Sequence, residues 1–405
     1  MADLFQHGAI ATLHNLTNRS LESLETELLE FSKQRSLGLM LPALFSELES
    51  GALRQIVEEL QPVSYLSEIV IGLDNADPEQ WGYARHYFSK LPQHHRILWH
   101  DGPRLQALDQ ELAVQNLAPQ ARGKGRNVWY SLGYMLASQR SRAIALHDCD
   151  ITTYDRGLLA RLLYPIANPV FDYRFCKGYY ARINQNQLRG RVTRLLVTPL
   201  LRALKLTLGT TDYLDFMDSF RYPLAGEFSL LTHIIPALRI PSDWGLEVGL
   251  LSEIQRNHAY HRVCQAEIAD IYDHKHKQLS AKDRSTGLSK MSIDITKSLF
   301  RKLAIQGHIL TKETFRTVKA TYYRLALDLV TRYQNDAIAN GLMFDRHAEE
   351  QAVEVFADCI MQAGETYLSN PMETPFIHSW ERIQSAFPDF MPRLLEAVEL
   401  DNTEN

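Results

Sequence analysis

The residues best suited to chemistry lie in one stretch, 123–155, GKGRNVWYSLGYMLASQRSRAIALHDCDITTYD. An apolar strand expected over 142–146 runs straight into His147-Asp148-Cys149-Asp150. Two carboxylates two residues apart at a strand end face the same side. No lysine or arginine adjoins them in the sequence, so a divalent cation would relieve their mutual repulsion. The chemistry this suggests is a metal-bridged diphosphate at the carboxyl end of a parallel strand, where open α/β sheets bind their ligands.

Other groups fit the same chemistry. Gly123-Lys124-Gly125 is too short for a P-loop, but a lysine between glycines can approach a diphosphate closely; a surface loop is the plain alternative. Gly190-Arg191-Val192-Thr193 offers a glycine, a guanidinium and a hydroxyl at an expected helix start, a combination that can hold a phosphate. A solvated helix face would equally accommodate the run Arg189, Arg191, Arg194. Glu247 could orient a sugar hydroxyl or simply favour a helix start through the dipole. His274 and His276 in DHKHKQL are either further metal ligands or surface histidines. Asp148-Cys149-Asp150-Ile151-Thr152 also fits the Asp-x-Asp-x-Thr signature of haloacid-dehalogenase-type phosphatases, in which Asp148 would be the nucleophile. That motif normally follows the first strand of its fold, whereas three expected strands precede it here, and no later Gly-Asp-x-x-x-Asp completes a metal site.

Short apolar runs alternating with helical patterns must position these groups. Leucines at helical spacing predict a helix over 16–31. Strands are expected over 37–41, ended by Pro42, and over 68–73, 96–100 and 142–146, each followed by a polar loop rich in Asp or Pro. Strands over 170–176 and 178–183 should flank Lys177. This alternation predicts a mostly parallel sheet with helices on both faces and its loops gathered along one edge. Residues 1–280 then form the catalytic body. Residues 281–405 read as a helical region for packing or dimerisation, with helices over 292–304, 311–340, 345–367 and 376–400 and Thr311 as a cap.

The bulk composition narrows the class. The chain has 405 residues, 45% hydrophobic and 22% charged, with a formal charge of −5. These are ordinary values for a globular protein, and they give no whole-molecule reason to expect nucleic acid. The four cysteines show no paired spacing, so buried thiols in a reducing compartment are expected. No apolar run reaches the roughly 18 residues of a membrane span, and the N-terminus lacks a signal pattern. A cytoplasmic protein is the expectation.

Taken in order, the motifs resemble those of glucosyl-3-phosphoglycerate synthases and the related mannosyl-3-phosphoglycerate synthases, which are retaining glycosyltransferases of the GT-A (Rossmann-like α/β) fold. The resemblance spans about 37–279. It rests on Pro42-Ala43-Leu44, Gly123-Lys124-Gly125 with Trp129–Leu132, Asp148-Cys149-Asp150, Gly190-Arg191-Val192-Thr193, Pro223–Glu227, Gly245–Leu251 and His274. Phe45 and Ser46 stand where the family has Asn and Glu, which bears on donor selectivity.

The resemblance implies transfer of glucose from a nucleotide-glucose, UDP-glucose first among them, to the 2-hydroxyl of 3-phosphoglycerate, feeding the compatible solute glucosylglycerate. GDP-mannose is the alternative donor. It further implies that Pro42, Ala43, Leu44 and Glu47 line the nucleotide pocket, with Asp74 near the base or ribose. Lys124 would contact the diphosphate, and Asp150 and His274 would hold Mg²⁺ or Mn²⁺ with Asp148 close by. Gly190, Arg191 and Thr193 would grip the acceptor phosphate, and Glu247 would position the glucose or the acceptor hydroxyl. The implied partners are these two substrates and a second copy of the chain.

Overall fold

A computed structural model describes residues 6, 8–17, 19–274, 287–371 and 376–403. The first half builds a sheet from β1 (Ala11–Leu13), β2 (Leu37–Leu44), β3 (Leu66–Asp74), β4 (His95–Trp99) and β5 (Ala143–Leu146). It is completed by β6 (Phe175–Asn184), the short β7 (Gln187–Leu188), β8 (Phe228–Leu231) and β9 (Val263–Tyr272). The spatial order is β1-β9-β6-β8-β5-β2-β3-β4, with β7 a hairpin partner of β6. Within that order only β8 runs antiparallel to its neighbours β5 and β6. It is thus a mostly parallel sheet, as the alternation predicts.

Helices α1 (Leu21–Ser32), α2 (Gly51–Leu60), α3 (Pro78–Phe88), α4 (Pro103–Val114), α5 (Lys124–Ser138) and α6 (Arg156–Ala167) connect or cover the strands. Their starts follow side-chain chemistry. Ser20, Ser50, Asp77 and Asp155 accept hydrogen bonds from the first turns of α1, α2, α3 and α6, each satisfying a donor that the helix itself leaves open. The body continues through a π-helical segment Val192–Val197, α7 (Thr198–Leu208), α8 (Asp212–Asp218) and α9 (Leu246–Asn257). The C-terminal region is α10 (Gly287–Ile305), α11 (Lys312–Ala339), α12 (Arg346–Ser369), α13 (Trp380–Ala386) and α14 (Phe390–Thr403).

Alternate residues of each strand feed two cores, one on each face. Met40, Val70, Leu98, Ile144 and Leu146 point into one; Leu39, Leu41, Ile69, Ile71, Ile97 and Ala145 point into the other. The first core also contains Phe315, Tyr322, Ile360, Trp380 and Leu394, so the C-terminal helices complete the cover of a sheet face. Trp380 stacks on Trp129 of α5 at 4.0 Å. On α14, Glu399 pairs with Arg96 at 2.7 Å and Asp401 with Arg104 at 2.6 Å.

Several expected boundaries move. The helix expected over 16–31 begins only at Leu21, where Ser20 caps it. Pro42 does not end β2: β5 leaves at Leu146, opposite Met40, so Pro42 needs a ladder partner on one side alone, opposite Gly72, a place where proline is tolerated. The two strands expected around Lys177 are one strand that runs through it. The last expected helix divides into α13 and α14 around Pro388, which cannot continue a helix. β1 lacks a periodic signal at three residues and pairs with β9 at the sheet edge. Asp148 therefore follows the fifth strand in chain order. Among the described residues no helix is long and apolar enough to cross a membrane, and no cysteine forms a disulfide.

Candidate active site at the carboxyl edge of the sheet

Asp148 and Asp150 leave the end of β5, as the strand pattern predicts. The sequence, however, places no cation beside them, and the fold does. Lys124, the first residue of α5, sets its Nζ 2.6 Å from Asp148 Oδ1 and 3.4 Å from Glu247 Oε1 at the start of α9. Burial works against the ammonium, but the two carboxylates outweigh it and hold its pKa well above the lysine range. Lys124 in turn holds Asp148 below the usual carboxylate range despite its burial. Neither α5 nor α9 has a side-chain cap, so both helix starts present open N–H groups at this edge. A close approach completes the arrangement: a Cβ on Gly226 would collide with Asp148 Oδ2 and sit 3.0 Å from Lys124 Nζ.

Asp150 faces a different partner. Its Oδ2 lies 3.7 Å from His274 Nδ1. The two are brought together by an antiparallel bridge between Ile151 and His274 and by Thr152 N donating to Asp273 O at 2.9 Å. Burial, then the charge of Asp148, pushes the Asp150 pKa up. His276 lies outside the described residues. Among those described, no group of three His, Cys, Asp or Glu side chains is poised to enclose a metal. A carboxylate and an imidazole facing each other at 3.7 Å nevertheless suit an open Mg²⁺ or Mn²⁺ site, in which water and substrate phosphate oxygens supply the other ligands.

Pro42, Ala43 and Leu44 form the end of β2, in register with Gly72, Leu73 and Asp74. Glu47 folds back so that its carboxylate accepts from Leu44 N at 2.9 Å. Burial raises its pKa to about 7, and the charges of Asp150 and Asp148 add to that rise. Asp74 accepts from Asn127 Nδ2 of α5 at 2.8 Å, and the same amide donates to Gly72 O. All of these groups share the sheet edge with Lys124 and Asp148.

Gly190 and Arg191 precede the π-helical segment. Gly190 has φ 72°, which glycine adopts without strain, and its Cβ position lies 3.1 Å from the Tyr222 hydroxyl. Thr193 is buried, and its Oγ1 has no hydrogen-bond partner among the described residues. A chain of rings joins this segment to the acidic edge. Tyr222 lies 5.1 Å from Tyr180, and Tyr180 stacks on Tyr272 at 3.7 Å. Both hydroxyls donate to Glu227, from Tyr180 at 2.7 Å and from Tyr272 at 2.5 Å. Burial, with Asp148 nearby, raises the Glu227 pKa.

Sequence reasoning missed the tyrosine cradle and Lys177. The ammonium of Lys177 is buried, lies 5.8 Å from the Phe228 ring and has no hydrogen-bond partner among the described residues. Its pKa falls to about 8 through burial. The period-two pattern of β6 carries the only prior signal for Tyr180; nothing in the sequence pairs it with Glu227.

No protein-family model matches the chain. The fold has solved counterparts. Glucosyl-3-phosphoglycerate synthase from Mycobacterium tuberculosis, in complex with Mn²⁺, UDP-glucose and phosphoglyceric acid, matches with a TM-score of 0.52 at 20% identity, covering 73% of this chain and 88% of that one. Mannosyl-3-phosphoglycerate synthase from Rubrobacter xylanophilus matches with a TM-score of 0.52 at 18% identity over 70% of this chain and 80% of that one. With its acidic pair at the strand end, the molecule has the GT-A fold, followed by a C-terminal helical region. Full-length relatives are more specific. Glucosyl-3-phosphoglycerate synthase from Persephonella marina is 46% identical over 405 residues, 100% of both chains. Its counterpart from Methanococcoides burtonii is 38% identical over 404 residues, 99% of this chain and 98% of that one. The chain belongs to the glucosyl-3-phosphoglycerate synthase family.

Proposed function

We propose that the chain transfers glucose from UDP-glucose to the 2-hydroxyl of 3-phosphoglycerate with retention of anomeric configuration. The observation that carries the reading is the Lys124–Asp148–Glu247 cluster, one ammonium between two carboxylates at the sheet edge. An ammonium so placed can move from carboxylate to diphosphate and stabilise the charge that develops on the leaving group. Asp150 and His274 would hold Mg²⁺ or Mn²⁺, which supplies charge neutralisation on the diphosphate.

The chain's own groups divide the remaining work. The end of β2 and Glu47 line the nucleotide pocket, and Asp74 sits toward the base or ribose. Glu247 accepts from a glucose or acceptor hydroxyl. Gly190 N–H, the Arg191 guanidinium and the Thr193 hydroxyl grip the acceptor phosphate. No carboxylate is assigned as a covalent nucleophile; the acceptor attacks from the face that the diphosphate leaves, passing its proton to a departing phosphate oxygen.

We further place the reaction in the cytoplasm, supported by four buried cysteines with no disulfide among the described residues. The assembly is proposed to be a homodimer, supported by apolar side chains that the chain leaves exposed on its C-terminal half, Ile305, Ile309 and Ile338; light scattering decides it. For the reaction, the protein is incubated with 3-phosphoglycerate, Mg²⁺ and, separately, UDP-glucose, ADP-glucose, GDP-glucose or GDP-mannose. Release of UDP with a hexosyl-phosphoglycerate mass in the UDP-glucose tube is the expected outcome. Turnover with GDP-mannose alone would overturn the donor. Loss of phosphate from 3-phosphoglycerate without sugar transfer would overturn the reaction class.

A further inference from the structure

The segment that carries Gly190, Arg191 and Thr193 is gripped by helices remote in sequence. Met343 N, in the turn between α11 and α12, donates to Asn186 O at 2.8 Å, and Asn186 Nδ2 donates to Gly341 O at 3.2 Å. Tyr322 of α11 donates through its hydroxyl to Leu195 O at 2.6 Å, inside the π-helical segment. The Tyr333 ring lies 4.8 Å from the guanidinium carbon of Arg194. Glu349 of α12, only 4% exposed, accepts from Arg191 Nε at 2.6 Å and lies 2.9 Å from Arg194 Nη1.

The two arginines differ in what is left to them. Arg194 is 8% exposed and donates from Nε to Arg189 O at 2.8 Å and from Nη2 to Leu188 O at 3.4 Å. Its Nε and Nη2 donors are taken up by the framework, and Nη1 faces Glu349 as an ion pair without a hydrogen bond. Arg191 keeps a third of its side chain exposed and makes no polar contact among the described residues beyond Glu349. A carboxylate on Nε fixes the guanidinium plane and leaves the two terminal nitrogens, which are spaced to receive a phosphate. The buried Thr193 hydroxyl, without a partner, lies two residues on. Two arginines against one glutamate leave a local excess of one positive charge, which suits an anion.

We infer that α11 and α12 form a wall of the acceptor site, with Glu349 as a positioning residue that holds Arg191 ready for the phosphate of a small phosphorylated acid. The inference rests on Arg191 being the acceptor's phosphate ligand. It gives the C-terminal region a part in acceptor selection beyond packing.

A double-mutant cycle on the full chain tests it, with initial rates measured against 3-phosphoglycerate and UDP-glucose. E349Q keeps the shape of the side chain and removes its charge. It is expected to raise the acceptor KM about tenfold while kcat and the donor KM stay within about twofold. In the R191A background the same change should move the acceptor KM by less than about twofold, because the arginine it positions is gone. An undiminished effect in R191A, or equal effects on both KM values, would overturn the positioning role. A fall in kcat with both KM values unmoved means lost folded protein only, and overturns it as well. E349D keeps the charge and shortens the reach; an acceptor KM raised about threefold is expected, and a wild-type value would show that carboxylate placement is immaterial. If R191A itself leaves the acceptor KM unchanged, the phosphate role of Arg191 falls; if R191A is severe and E349Q silent, the role of Glu349 falls alone.

Discussion

The acidic edge and the arginine segment are built on opposite plans. At the edge, Asp148 and Asp150 stand two residues apart at the end of one strand, and their partners Lys124 and His274, with Glu247 sharing Lys124, sit at the ends of elements of the same sheet body. Charges are compensated among groups that the α/β alternation already brings to one rim. The arginine segment leaves the sheet on a hairpin, passes through a π-helical turn, and takes its compensating charge from Glu349, 158 residues further along the chain. Parallel-strand ends converge by topology, whereas a wandering loop needs an external clamp. π-helical turns are uncommon and concentrate at functional sites, which agrees with a clamp placed for a purpose.

The contrast can be broken most directly at the proposed metal ligand. Asp150→Ala is expected to lower metal-dependent kcat/KM by roughly a thousandfold, measured in steady state across a Mg²⁺ and Mn²⁺ titration; unchanged turnover would take Asp150 out of the metal site. Lys124→Met should cost roughly a hundredfold in kcat, with a smaller effect on the acceptor KM. The arginine segment should answer with the opposite pattern. Arg191→Ala is expected to raise the acceptor KM about thirtyfold and leave the donor KM within about twofold; equal effects would erase the distinction between the two regions.

Truncation after residue 280 probes the same division on a larger scale. The lost helices carry Phe315, Tyr322, Trp380 and Leu394 out of a core shared with the sheet, so the fragment should fail to fold cooperatively in a denaturation experiment. A stable, soluble fragment that retains donor binding would separate the regions completely.

The smallest effect lies at the seam. Asp294 on α10 has its pKa raised to about 6 by burial, with the Asp243 carboxylate adding to the rise. A carboxyl whose folded pKa lies above its unfolded value of 3.8 binds more protons when folded. Its contribution to stability is therefore fullest below pH 4 and is lost as pH rises to about 6, flat thereafter. Asp294→Asn should remove that decline, a relative gain of about 2 kcal/mol at pH 8, read from denaturant midpoints at pH 4 and 8.

Much of the acidic edge was legible in the sequence because its signals are local. A strand followed by two acids, a lysine between glycines before a helix, and a glutamate at a helix start each carry their own periodicity or capping logic. Thr311 as the cap of α11 was readable for the same reason. The tyrosine cradle of Glu227 was not: Tyr180 and Tyr272 lie on neighbouring parallel strands, and only the register, Tyr180 opposite Ala269 and Arg182 opposite Tyr272, puts both hydroxyls on one carboxylate. Pro42 misled for a tertiary reason too, since whether a proline breaks a strand depends on where its neighbour leaves the sheet.

By itself, then, the sequence determined the alternation of short strands and helices, hence the sheet and the rim at which Asp74, Asp148 and Asp150 lie; that Lys124 and Glu247 join them was implied only by the family resemblance. Hydrophobic period and helix capping are properties of a few adjacent residues. Tertiary structure alone decided that Lys124 neutralises Asp148, that His274 faces Asp150, and that Glu349 of the distant α12 holds Arg191. Charge pairing acts through space over a few ångströms, and no spacing along the chain records which distant carboxylate will close that distance.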